Sequence, residues 1–200
     1  MSSEEREGLF DALLREIAEH DGELALDDMA RVALAAPSQP PPAALADRIR
    51  TSSESEHRWP DLIATVRELG DLGEDVAADL LRAIDGGERW SLGPNDDVQL
   101  LHFDGGPRVA NSVTGFVRIA PGGEFPDHEH VGDEVVLVMQ GAFRDELDGR
   151  THGRGAVVRM GAGSAHRLRA VGPLPLVYMA VIEGGVRIGG ELIAPGDPRG

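Results

Sequence analysis

The run DHEHVGDE, residues 127–134, followed about thirty residues later by GAGSAHRL, residues 161–168, decides how this chain is read. On an extended strand successive side chains alternate faces, so His128 and His130 point to the same side, and Glu134 keeps their parity. A chain reversal between strands can bring His166 to the same place. Three imidazoles and one carboxylate make an N3O donor set suited to Zn, Fe(II), Mn, Ni or Cu. Any one of these histidines taken alone would be read as a solvated or internally satisfied side chain, and an acidic run can simply face water. The surroundings argue otherwise. Gly122 lies six positions before His128, Gly141 seven after Glu134 with the apolar run VVLVM between, and Gly155, Gly161 and Gly163 bracket a turn before His166. Concordant context of this kind is what lifts a motif above coincidence.

Written out as Gly122, five residues, His128, one residue, His130, three residues, Glu134, six residues and Gly141, the segment resembles the first cupin motif without a departure. The second motif is matched at Gly155, Gly163 and His166, but Gly161 stands where proline is usual and Ala170 where asparagine is usual. Within the cupins, the run LVMQGAFRDE, residues 137–146, is most similar to the cupin half of ChrR-type anti-sigma factors. The resemblance implies a jelly-roll barrel, a metal held by His128, His130, Glu134 and His166 with zinc first among the candidates, and a preceding helical domain that sequesters a sigma factor. It also implies an N-terminal zinc site of the form H-x3-C-x2-C. The chain has no cysteine, and His20 is followed by Asp, Gly, Glu and Leu, so that site cannot be carried over.

With 200 residues the chain can bury one barrel-sized core and a smaller helical one. Zero cysteines exclude disulfides, thiol redox sensing and iron–sulfur clusters. The start, MSSEEREGLF, lacks the basic-then-apolar pattern of a secretion signal, and no apolar run is long enough to span a bilayer, so a cytoplasmic protein is expected. Residues 1–90 hold 21 acids against 9 arginines and the remainder 14 against 10, which together give the net charge of −16. Such a surface repels phosphate backbones, which argues against direct nucleic-acid binding; it solubilises the chain and would draw a basic protein partner.

The first third has helical periodicity. Ser2 and Glu5 fit a capping box ahead of Leu9, Phe10, Leu13, Leu14 and Ile17; a second helix through Leu26, Met29 and Leu34 ends at the proline-rich spacer 37–42. Ala43 to Arg50 reads as a further helical turn or two, and SSESEH as a polar linker. Pro60 is expected to open a helix through Leu62, Ile63, Val66 and Leu69 that stops at Gly70. Glu74 to Asp85 forms the next, with Gly86 and Gly87 as its C-terminal cap, and the two could pack on the barrel or on the first helices. His20 and His57 are expected to be solvated.

From Trp90 the texture becomes short β-rich runs, VQLLHF, VTGFVRIA, EVVLVMQGAFR, VVRM, HRLRA, LVYMAVIE and VRIGGEL, separated by turn residues. That spacing predicts a sandwich or barrel, so the fold class is mainly β, a C-terminal cupin barrel preceded by a small all-α region. The expected division is an acidic helical region at 1–53, a helical hairpin or linker at 54–89 and the cupin at 90–200. If Glu134 faces inward so do Val136, Val138 and Gln140, giving an apolar lumen with one amide, unless Gln140 sits at the rim. His102, Tyr178, Arg118 and Arg167 are the remaining polar aids. Arg167, next to His166, should face outward, and none of the four is assigned a catalytic role. Two functions stand open: a regulatory, anti-sigma-like sensor, with a sigma factor or other basic protein as partner and a small ligand in the barrel as a further candidate, or a metal-dependent dioxygenase or isomerase. Open strand edges predict a homodimer.

Overall fold

A computed structural model describes residues 58–146 and 149–197, together with Leu45, which is helical. The expectations for the rest of residues 1–57, including His20, His57, the proline spacer and the SSESEH linker, lie outside the described residues. Among the described residues from 58 onward, two α-helices, α1 (Ile63–Gly70) and α2 (Glu74–Asp85), precede twelve strands. The strands are β1 (Ser91–Leu92), β2 (Val98–His102), β3 (Ser112–Ile119), β4 (Glu124–His130), β5 (Glu134–Gln140), β6 (Ala142–Asp145), β7 (Thr151–Gly153), β8 (Val157–Met160), β9 (Ala165–Val171), β10 (Leu176–Glu183), β11 (Val186–Ile188) and β12 (Glu191–Ile193). They form two six-stranded antiparallel sheets, ordered β1-β2-β3-β10-β5-β8 and β12-β11-β4-β9-β6-β7. This is the mainly β barrel the turn spacing predicts. Among the described residues no helix is long and apolar enough to cross a membrane.

The long run EVVLVMQGAFR divides where it must. Gly141 adopts φ +71°, a left-handed conformation costly for any residue with a Cβ, and a Cβ there would lie 2.9 Å from the Pro175 carbonyl oxygen. The chain turns at this point and passes from β5 in the first sheet to β6 in the second.

Two cores follow from strand alternation. Between the sheets, Val117, Phe125, Val136, Val138, Phe143, Leu168 and Tyr178 fill the lumen. On the outer face of the first sheet, Leu101, Phe116, Leu137, Met139, Val177 and Met179 pack against Trp59, Leu62 and Val66 and against Ala77, Leu80, Leu81 and Ile84 of α2. Strand β10 is buried on both faces, which is why LVYMAVIE is continuously apolar rather than alternating. Each large aliphatic side chain buried in these layers contributes about 1.5–3 kcal/mol. Packing of α1 and α2 on the barrel face is one of the two arrangements expected of the helical pair.

Two of the four helix ends differ from expectation. Pro60 lies in a turn, with the Leu62 amide donating to the Trp59 carbonyl, and the helix begins at Ile63. Gly70 is the last helical residue, as expected, and Asp71 takes the left-handed position; a Cβ at Gly70 would lie 2.8 Å from the Leu72 side chain. At the end of α2, Gly86 is extended (φ −74°, ψ 150°) rather than left-handed. The Ile84 carbonyl is instead capped by side chains, accepting from Trp90 Nε1 at 3.2 Å and from the Arg118 guanidinium.

Candidate metal centre

Strand β4 carries His128 and His130, β5 carries Glu134 and β9 carries His166. All four are buried, and one donor atom from each lies within 4.8 Å of every other. Register explains the convergence: His128 and His166 are directly paired across β4 and β9. A bulge between Phe125 and His128 shifts the register there, so both point inward although three positions apart, and Pro126 and Asp127 absorb the extra residue. His130 then follows with ordinary alternation.

The three imidazoles are each oriented by a partner on the far side of the ring. His128 Nδ1 donates to the Pro126 carbonyl at 2.9 Å and His166 Nδ1 to the Asp145 carboxylate at 2.8 Å. Ser164 Oγ donates to the Gly161 carbonyl, which leaves its lone pair to accept from His130 Nδ1 at 3.0 Å. All three rings are therefore Nδ1–H tautomers with the Nε2 lone pair directed inward. Nε2 of His166 is 3.0 Å from Nε2 of His128 and 3.8 Å from Glu134 Oε2, and Nε2 of His130 is 3.1 Å from that same oxygen. Two lone pairs facing each other at such range repel unless a cation sits between them. His130 Nε2 and Glu134 Oε2 are moreover buried without a hydrogen-bond partner. Bonds of about 2.0–2.2 Å to one ion place neighbouring donors about 3.0–3.5 Å apart, so the donor set fits a single divalent cation.

Burial, and then the neighbouring His166, push the His128 pKa down to about 4, against the Pro126 hydrogen bond and the Glu134 charge. Its ring is accordingly neutral, as a ligand must be, at physiological pH. Burial, and then the Glu134 charge, raise Tyr178 well above the usual tyrosine range, so its hydroxyl remains protonated. A surface depression of about 510 Å³, lined by Asp127, Glu129, Glu146, Arg167 and Arg187, reaches His128 and His166 from outside.

Other polar residues singled out in the sequence have structural places. Arg167 faces outward, as parity predicts, and pairs with Asp127 at 2.6 Å. Arg118 stacks on Trp90, its guanidinium carbon 4.0 Å from the ring centroid. Gln140 does not offer its amide to the lumen: its Nε2 donates to the Pro175 carbonyl and its Oε1 accepts from Arg58. Register between β5 and β10 shifts at Val177/Tyr178, so the parity that placed Gln140 with Val138 breaks one residue too early. Sequence reasoning missed Asp145 and Ser164. Asp145 carried a signal: it follows inward Phe143 by two on β6, which makes it a buried carboxylate. For Ser164 no periodic signal exists, since it lies in the turn before β9.

Residues 89–182 match the family model described as the ChrR cupin-like domain. Over 59 residues the chain is 49% identical to the anti-sigma-E factor ChrR of Cereibacter sphaeroides, a match covering 26% of this chain and 28% of that protein. The chain thus spans under a third of that relative's length. Among solved structures, that of Rhodobacter sphaeroides SigE in complex with the anti-sigma ChrR is similar at 22% identity and TM-score 0.49, covering 86% of this chain and 85% of that one. An acetylacetone dioxygenase from Acinetobacter johnsonii is similar at 14% identity and TM-score 0.48, covering 56% and 83%. Residues 89–182 belong to the ChrR cupin-like domain family, and the barrel that gathers His128, His130, Glu134 and His166 is that domain.

Proposed function

We propose that His128, His130, Glu134 and His166 bind one divalent cation, zinc first and Fe, Mn, Ni or Cu as alternatives, and that the protein is a regulatory sensor of the anti-sigma type. One observation carries the metal reading: three imidazoles locked in the tautomer that turns Nε2 inward, converging with a carboxylate oxygen that has no other partner. A bound cation supplies charge neutralisation and a cross-link among β4, β5 and β9. The residues around it do the rest. Asp145, Ser164 and the Pro126 carbonyl hold the rings in place, and the apolar lumen excludes water.

The regulatory reading is supported by the family of residues 89–182 and by the anti-sigma-E factor to which part of the chain is similar. In this reading residues 1–53 carry the partner surface, 54–89 connect it to the barrel and 90–200 form the sensing cupin. The acidic excess of residues 1–90 suits a basic partner, a sigma factor first, in the cytoplasm and without direct nucleic-acid contact. A homodimer through open strand edges belongs to the same reading. Tagged full-length chain should retain stoichiometric zinc without added metal and recover a sigma factor from its own cells. Iron in place of zinc, with oxygen uptake on a diketone substrate and no sigma factor recovered, would instead establish a dioxygenase.

A further inference from the structure

Side chains do not fill the barrel lumen throughout. Beside Phe125 it holds a cavity of about 50 Å³ whose wall includes Val117, Phe125, Ala180, Ile182, Val186 and Ile188. The void lies where β10, otherwise built of large apolar side chains from Leu176 to Ile182, carries Ala180, and where β3 sets Gly115 directly across from it. A Cβ at Gly115 would meet the Leu101 carbonyl oxygen at 3.1 Å and the His102 ring at 3.2 Å, so this position resists enlargement. Position 180 carries no such restriction, and valine there would supply the two carbon atoms the space lacks. Protein interiors keep few voids larger than a water molecule, and each lowers stability in proportion to its volume.

The wall offers a ligand nothing polar. His102 is the one polar side chain in it, and both of its ring nitrogens are shut off from solvent. A buried water needs two to four polar partners, so a cavity of this kind stays dry and its occupant must be apolar. Size sets the next limit. A cavity of about 150 Å³ in an engineered core takes the six ring atoms of benzene, so a third of that volume takes about two non-hydrogen atoms. Position sets the last. Ile182 is paired with Glu134, Val186 with His130 and Ile188 with His128, and the Phe125 ring packs edge-on against His128 at 4.9 Å. Four wall residues are thus direct neighbours of the metal centre, while none of its four converging residues lines the cavity. Val113 and Ile193, also in the wall, are only half-buried, which gives a way in from solvent.

We propose that this cavity binds dioxygen, as a small apolar gas of two atoms, and holds it one layer of side chains away from the metal centre. No hydrogen bond is required of the wall, only shape and the exclusion of water. What the gas means for a bound cation rests on the metal reading above. The cavity and its fit to a diatomic do not.

The test uses the metal-replete full chain, with xenon as a probe of the void and dissolved dioxygen, whose paramagnetism broadens nearby signals, as the ligand itself. Methyl resonances of Ala180, Ile182, Val186 and Ile188 should shift saturably with rising xenon pressure, with an affinity no tighter than about millimolar for a ligand this small. Oxygen in place of nitrogen should broaden the same methyls several-fold more than those of Val66 and Leu81, which are equally buried but lie outside the barrel. Ala180→Val should abolish both effects with unchanged metal content and a melting temperature at least as high. Ile188→Val enlarges the cavity by one methyl group and should tighten xenon binding, which decides the matter if Ala180→Val fails to fold. Shifts that never saturate, saturation that survives in Ala180→Val, xenon binding unchanged in Ile188→Val, or oxygen broadening no greater than at Val66 and Leu81 would each overturn the proposal. Metal content reads the earlier proposal separately: a chain that keeps its zinc without saturable xenon binding refutes the cavity alone, and one that binds xenon without any metal refutes the metal reading alone.

Discussion

Replacing Asp145 by Asn leaves an oxygen able to accept from His166 Nδ1 but removes the negative charge behind the ring. The bond in question is short, 2.8 Å, and its partners are almost fully enclosed, with side-chain exposures of 3% and 11%. Hydrogen bonds to a charged group contribute about 1.5–3 kcal/mol, against about 1 kcal/mol for a neutral pair. The difference, about 0.5–2 kcal/mol, is about 2- to 30-fold in affinity, and its upper part overlaps the 10- to 100-fold cost usual for losing the carboxylate behind a metal-bound histidine. Asp145→Ala should cost more than Asp145→Asn because it also strands the ring N–H and frees the ring to rotate. Competition of the full chain against a fluorescent zinc chelator at pH 7.5 measures both. Zinc affinities of the two variants within twofold of the parent would refute the claim that Asp145 orients His166 for a cation, even if both variants melted earlier.

His128→Ala removes an inward nitrogen and should abolish zinc retention on gel filtration, whereas His57→Ala should retain it; equal metal content in the two would reject the assignment. In chelator-treated protein the neutral His128 ring, with its pKa near 4 instead of the ordinary 6.5, stabilises the fold fully above pH 6.5. That contribution, of order 3 kcal/mol, is lost as pH falls from 6.5 to about 4, and urea midpoints that stay level over this window would contradict it. Gly141→Ala forces a Cβ into a left-handed residue 2.9 Å from the Pro175 oxygen and should destabilise by about 1–3 kcal/mol in urea melts; an unchanged midpoint would show that the turn relaxes freely.

The barrel was legible because its strands obey a local rule. Apolar runs with alternation, cut by glycine and other turn residues, marked β2, β3, β5, β8, β9 and β10 within a residue or two, and the doubly buried β10 announced itself by having no alternation at all. The same parity placed Arg167 outside and Val136 and Val138 inside. Parity failed where a strand slips, at the register shift beside Tyr178 that takes Gln140 out of the lumen, and the bulge between Phe125 and His128 is a second slip of the same kind. An inserted residue changes which face a side chain occupies without leaving any mark in composition.

The sequence by itself determined the identities and spacings of three histidines and a glutamate, the strand-rich texture around them, and the acidic excess of the first ninety residues, since each is set by neighbours along the chain. Only the tertiary structure decided that His166 stands opposite His128, that Asp145 and Ser164 lock the ring tautomers, and that α1 and α2 cover the outer face of the first sheet. Each of these depends on contacts between residues tens of positions apart, and the free energy of such contacts is set by register and packing, which no local pattern encodes.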